Sequence, residues 1–95
     1  MSNRILTKEK FKKWLKSKSS KTKVGVAAVC AHCPVAWFLT QTTGKAYEVD
    51  GTEYLCVETW KDYALPRWAQ DFVTSVDKCQ GSISAKKALQ LLEAA

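Results

Sequence analysis

Long apolar runs are missing from this sequence. A membrane-spanning helix needs about 20 consecutive apolar residues. The longest candidate, residues 24–31, is broken by Gly25 and leads into Cys30-Ala31-His32-Cys33-Pro34. The N-terminus carries Arg4 without the apolar segment of a secretory leader. These gaps lead to the expectation of a cytoplasmic protein with no membrane contact and with cysteines reduced by default. Arginine is scarce: Arg4 and Arg67 stand alone. Arginine makes the commonest bidentate contacts to base edges, and no standard nucleic-acid-binding motif is present. Histidine occurs once, as His32, with no serine or acidic neighbour in a catalytic arrangement. A general base needs positioned partners, so the chain is not expected to be an enzyme.

What is present fits one domain spanning residues 1–95. Apolar residues make up 46% and charged residues 25%, values that argue against wholesale disorder. A chain this short has little room for a deep cleft beside its core. Its net charge of +6 is unevenly placed. Residues 1–23, a basic helix and connector, hold nine basic residues against Glu9, a net of +8. Residues 24–95, the α+β body, hold six basic and eight acidic residues, a net of −2. Such a split fits either an anionic partner for the basic end or a basic segment docked on its own acidic body.

The first helix is signalled by Thr7 as N-cap, with Leu6 and Phe11 placed as a hydrophobic staple. Phe11, Trp14 and Leu15 form a narrow apolar stripe. Lys10, Lys12, Lys13 and Lys16 lie away from it, and the helix should fray in Ser17–Ser20. Residues 24–31 are ambiguous: the β-branched residues favour a short buried strand, while the alanines tolerate a helix or irregular packing. Pro34 to about Thr42 reads as a helix stopped by Gly44. Residues 45–58 read as a hairpin about Asp50-Gly51, a two-residue type I′ signal that requires positive φ. Leu65-Pro66 opens a helix whose apolar face runs through Ala69, Phe72, Val73 and Val76 towards Cys79, with Gly81 as its stop. Ser84 caps a last helix, with Ile83 and Ala88 as a second staple and Leu89 and Leu92 facing inward. The expected fold is α+β: about four helices packed on one face of a short antiparallel hairpin or sheet.

Three stretches carry a family resemblance. They are Val24-Gly25 with Cys33-Pro34-Val35-Ala36, then residues 65–77 (LPRWAQDFVTSVD), then Ile83-Ser84-Ala85 with Ala88-Leu89. Together they resemble a set of small proteins of cyanobacteria, other bacteria and their phages that share a VG…CPLA…LPxWAxxFVxxVD…ITAxxAL layout and have no known activity. The resemblance covers most of residues 6–93. It implies a compact accessory or mobile-element protein and transfers no catalytic residue. The basic first helix, Cys30 and His32 depart from the layout.

Three constellations could carry chemistry. Cys30 and Cys33 have the spacing of a redox pair or of half a zinc site. Cys56 and Cys79, with His32 in reserve, could complete four zinc ligands. Against redox chemistry, no βαβ unit precedes the motif. Against zinc, Cys56 and Cys79 stand 23 residues apart instead of as a close pair. The plain alternative is that Cys33 caps or packs the second helix and the other cysteines are small buried hydrophobes. No cofactor is therefore expected, with zinc as the alternative. Second, Lys10, Lys12, Lys13 and Lys16 could pair with phosphates in a salt-dependent, sequence-independent way. Third, Trp60, Lys61 and Tyr63, in an inferred loop, together with Arg67 form the candidate protein interface, because Trp and Tyr are enriched in interfaces. Trp14 and Trp37 are expected in the core. The functional expectation is a small non-catalytic interaction protein binding a cellular or host protein. Nucleic-acid binding through the lysine-rich helix is the alternative, and a thiol redox or zinc-binding protein using Cys30-Ala31-His32-Cys33 is the second alternative.

Overall fold

The structure, a computed structural model, describes residues 6–27, 29 and 31–94. Helix α1 spans Lys8–Lys16, and the Thr7 hydroxyl accepts the Lys10 N–H at 3.2 Å, as an N-cap should. Ser17 ends it, its N–H returning to the carbonyls of Lys13 and Trp14. Strand β1 covers Lys23–Val26. Helix α2 spans Pro34–Thr43; Cys33 is its N-cap and Gly44, at φ 77°, its left-handed stop.

Strands β2 (Tyr47–Val49) and β3 (Glu53–Cys56) form the expected hairpin. Its turn differs from the type I′ expectation, because Asp50 and Gly51 do not take positive φ. The Asp50 carboxylate instead accepts the backbone N–H groups of Thr52 at 2.8 Å and Glu53 at 2.7 Å. Side-chain bonding of this kind closes a turn without left-handed residues.

A third strand, β4 (Lys61–Ala64), extends this sheet in the order β2-β3-β4, so the inferred loop around Lys61 and Tyr63 is a strand. An edge strand needs little apolar content, and Tyr63 alone anchors it by stacking on Tyr54 at 5.1 Å. Helix α3 (Arg67–Asp77) follows and ends before Cys79, earlier than the expected Gly81 stop. Its last turn tightens through Lys78 N–H to Ser75 and Cys79 N–H to Val76. Strand β5 (Ser82–Ser84) then pairs antiparallel with β1, and helix α4 spans Ala85–Ala94. The Ser84 hydroxyl caps α4 by accepting the Lys87 N–H at 3.1 Å.

The fold is thus α+β, with four helices and two small antiparallel sheets among the described residues, in place of the single sheet expected. Phe11 is its hub. The ring is wholly buried and meets Phe38 of α2 at 5.4 Å and Phe72 of α3 at 5.1 Å, both edge to face. Helix α4 packs against both α1 and α3, while α2 packs against β1 and β2. The first two N–H groups of α4 donate to the carbonyls of Thr22 and Ser20, joining the end of the chain to the connector after α1. Gly25 lets β1 approach the segment before α2: a Cβ there would lie 2.5 Å from the Pro34 nitrogen and 2.8 Å from the His32 oxygen. Among the described residues no helix is long and apolar enough to cross a membrane.

Candidate functional site

The turn between β3 and β4 is four residues long, Val57-Glu58-Thr59-Trp60, closed by the pairing of Cys56 with Lys61. Its last residue must reverse the chain into β4. Trp60 does so at φ 59°, in the left-handed region where glycine or asparagine is the usual occupant. The indole is also 76% exposed. A large apolar ring is thus held in solvent by a backbone conformation it disfavours.

The turn is fastened from several sides. The Trp60 N–H donates to the Cys56 carbonyl at 2.8 Å. The Val57 N–H donates to the Ala46 carbonyl at 3.0 Å, and the Glu58 carboxylate accepts the Ala46 N–H at 2.9 Å. Under the turn lies the buried Cys56 sulfur. The Thr59 hydroxyl, the backbone N–H groups of Thr59 and Glu58, and the Tyr47 hydroxyl surround it and favour its thiolate form. These groups, the Thr59 hydroxyl foremost, hold the Cys56 thiol below the ordinary cysteine range despite its burial. Tyr47 moves the other way, raised by burial first and then by the neighbouring sulfur. Cys56 therefore braces the turn.

The other interface candidates are placed less uniformly. Lys61 is exposed at the start of β4, directly after Trp60. Tyr63 is half-buried against Tyr54. Arg67 belongs to the first turn of α3, where its Nε pairs with Asp71 at 3.2 Å along the same helix. Of the four, Trp60 and Lys61 are the adjacent exposed pair.

The lysines divide as well. Lys10, Lys13, Trp14 and Ser17 recur at helical spacing and line a groove between α1 and α2. Lys12 lies on the other flank, with its Nζ 3.7 Å from Glu93 of α4. Lys16 is exposed in the last turn. Trp14 and Trp37 are half-buried and leave part of each ring at the surface, short of the core positions expected for them.

The zinc candidates do not converge: among the described residues no three His, Cys, Asp or Glu side chains form a metal-holding group. Cys33 caps α2, its sulfur accepting the Ala36 N–H at 3.4 Å. Cys56 serves the turn, and half-buried Cys79 donates to the Ser75 carbonyl at 3.6 Å. His32 is exposed, and its Nδ1 accepts the Trp37 indole N–H at 3.3 Å. Cys30 lies outside the described residues.

The sequence pointed to Trp60 by composition alone. Its backbone conformation and the Cys56 brace leave no local sequence signal, because both depend on which residues β3 pairs with. No protein-family model, curated protein or solved structure matches the chain.

Proposed function

We propose that this protein is a non-catalytic interaction module that docks on a protein partner through the turn carrying Trp60. The observation that carries this reading is a 76% exposed tryptophan fixed in the left-handed region. Backbone strain persists where its surroundings over-determine it, and such sites cluster at ligand clamps and active sites. A buried tryptophan is the commonest kind of anchor in protein interfaces. An anchor that is already rigid loses little conformational entropy on docking. Lys61 next to it would add a charged rim contact, and the outer edge of β4 offers main-chain groups to an added strand. In a cytoplasmic, phage-derived accessory protein, such docking would act by covering a surface that the partner needs.

Trp60→Gly tests this reading without threatening the fold, because glycine suits the φ at that position. The wild-type chain and the variant are used in parallel to retain proteins from a nuclease-treated lysate of the host. A protein held stoichiometrically by wild type and lost by a folded Trp60→Gly chain is the expected result. Equal retention by both chains would remove the turn from the interface.

A further inference from the structure

Two grooves flank α2. One, of about 440 Å³, is lined by Lys10, Lys13, Trp14 and Thr42. The other, of about 530 Å³, is lined by His32, Trp37, Gln41 and Tyr47. Both are open grooves on the surface. At the lip between them the Trp14 indole N–H donates to Gln41 Oε1 at 3.2 Å, so α1 and α2 together fix that ring. One face of Trp14 stacks on buried Phe11, 6.0 Å away and 18° from parallel. Over the indole stands the Lys18 ammonium, 5.2 Å from the centroid. Trp37 repeats the arrangement, with the Lys23 ammonium 5.8 Å from its centroid.

Two partly exposed tryptophans therefore each carry a lysine over the ring: Trp14 within the basic first segment, and Trp37 on α2, where Lys23 supplies the charge and Glu48 borders the groove. We propose that this face binds single-stranded nucleic acid, with bases stacking on Trp14 and Trp37 and phosphates meeting Lys10, Lys13, Lys18 and Lys23. A base stacked on an indole outweighs the exposed cation–π contact it replaces. The displaced ammonium moves to the phosphate beside that base and keeps its charge paired. Duplex bases are already stacked on one another and do not offer this contact. Because lysines act as point charges and no arginine lines either groove, the binding is sequence-tolerant. An acidic peptide could meet the lysines but would leave the two indole faces unused. This site is built from residues other than the Trp60 turn, so it stands or falls independently of the proposed protein contact.

The test is fluorescence anisotropy of the full chain with labelled oligo-dT and oligo-U of about twelve nucleotides, a matched duplex and a poly-glutamate peptide. Tryptophan emission is followed in the same titrations. Single strands are expected to bind more tightly than duplex or peptide and to quench the emission. The variant Lys10→Glu/Lys13→Glu changes residues outside the core. It should weaken binding by at least about tenfold and lower the salt slope by roughly 1.4, the value for two phosphates on a single strand. Trp37→Leu should remove part of the quenching. No binding at about 50 mM salt, a duplex or poly-glutamate held as tightly as the single strand, or unchanged affinity in the folded lysine variant would each overturn the proposal.

Discussion

Holding a tryptophan in the left-handed region costs about 1–2 kcal/mol, because its Cβ crowds the following carbonyl oxygen. Glycine removes that crowding but widens the freedom of the unfolded chain by about 0.4–1 kcal/mol. Trp60→Gly should therefore leave stability unchanged or raise it by up to about 1.6 kcal/mol in urea unfolding, while contacts to a partner are lost. Asp50 behaves in the opposite sense. Backbone N–H bonds from Thr52 and then Glu53 hold its carboxyl below the usual carboxylate range. A lowered folded pKa contributes stability that is complete above the unfolded value of 3.8 and is lost as pH falls through the folded value. Asp50→Ala should cost about 1 kcal/mol at neutral pH, as loss of a capping side chain does. As the carboxyl takes up its proton, the difference from wild type should fade in acid below about pH 4, measured as unfolding midpoint against pH. Caps of this local kind were legible in the sequence at Thr7, Cys33, Gly44 and Ser84. Each depends on a side chain or φ within four residues. Asp50-Gly51 marks the turn correctly, but the Asp50 carboxylate bonds forward and so competes with the positive φ that the dipeptide signals. Trp60 broke the local preference outright, which is why no turn rule found it.

Between elements, buried rings matter more than surface charges. Phe11 joins α1 to α2 and α3, and Phe11→Ala should cost about 3–5 kcal/mol. Stability for domains in general is only about 5–15 kcal/mol, so much of the chain should be unfolded at low denaturant. Lys12→Ala breaks the pair with Glu93, whose side chains are 39% and 64% exposed, and should cost below about 0.5 kcal/mol. Paired urea titrations of the two variants would show this contrast, and equal costs would refute the role given to Phe11. The helices were readable because each carries a buried stripe at helical spacing. Strands β4 and β5 were not. Lys61-Asp62-Tyr63-Ala64 and Ser82-Ile83-Ser84 are too short to show a period. They become strands only because β3 and β1 lie beside them, a fact fixed by contacts far along the chain.

Over the whole molecule, two sequence features 8–10 residues apart turn out to touch: Val24-Gly25 and Cys33-Pro34. The absent side chain of Gly25 is what admits the His32–Pro34 backbone, and Val26 N–H bonds the His32 carbonyl at 2.6 Å. Gly25→Ala should cost about 1–3 kcal/mol by overpacking, read as a lowered unfolding midpoint, and a neutral substitution would mean that this approach is loose. Opposite charges also collect in different hollows, although Glu48 borders the Trp37 groove as well. Glu48, Asp50, Glu53 and Asp62 share a shallow hollow of about 150 Å³ on the three-stranded sheet, while Lys10 and Lys13 line the α1–α2 groove. The charge imbalance between the two segments was legible from counting. The gathering of the acidic residues was not, because they come from three strands and a turn whose register only the fold defines.

The closure of β1 by β5, and of α1 by α4, also sets a clock on biosynthesis. β1 is complete at Val26, yet its partner begins at Ser82. A ribosome adding roughly 5–20 residues each second leaves β1 and α1 waiting on the order of 3–12 s for the elements that cover them. Through that interval Phe11, Trp14 and Leu15 emerge with no α4 to lie on. The lysines interleaved with them keep the nascent segment in solution until the last helix arrives.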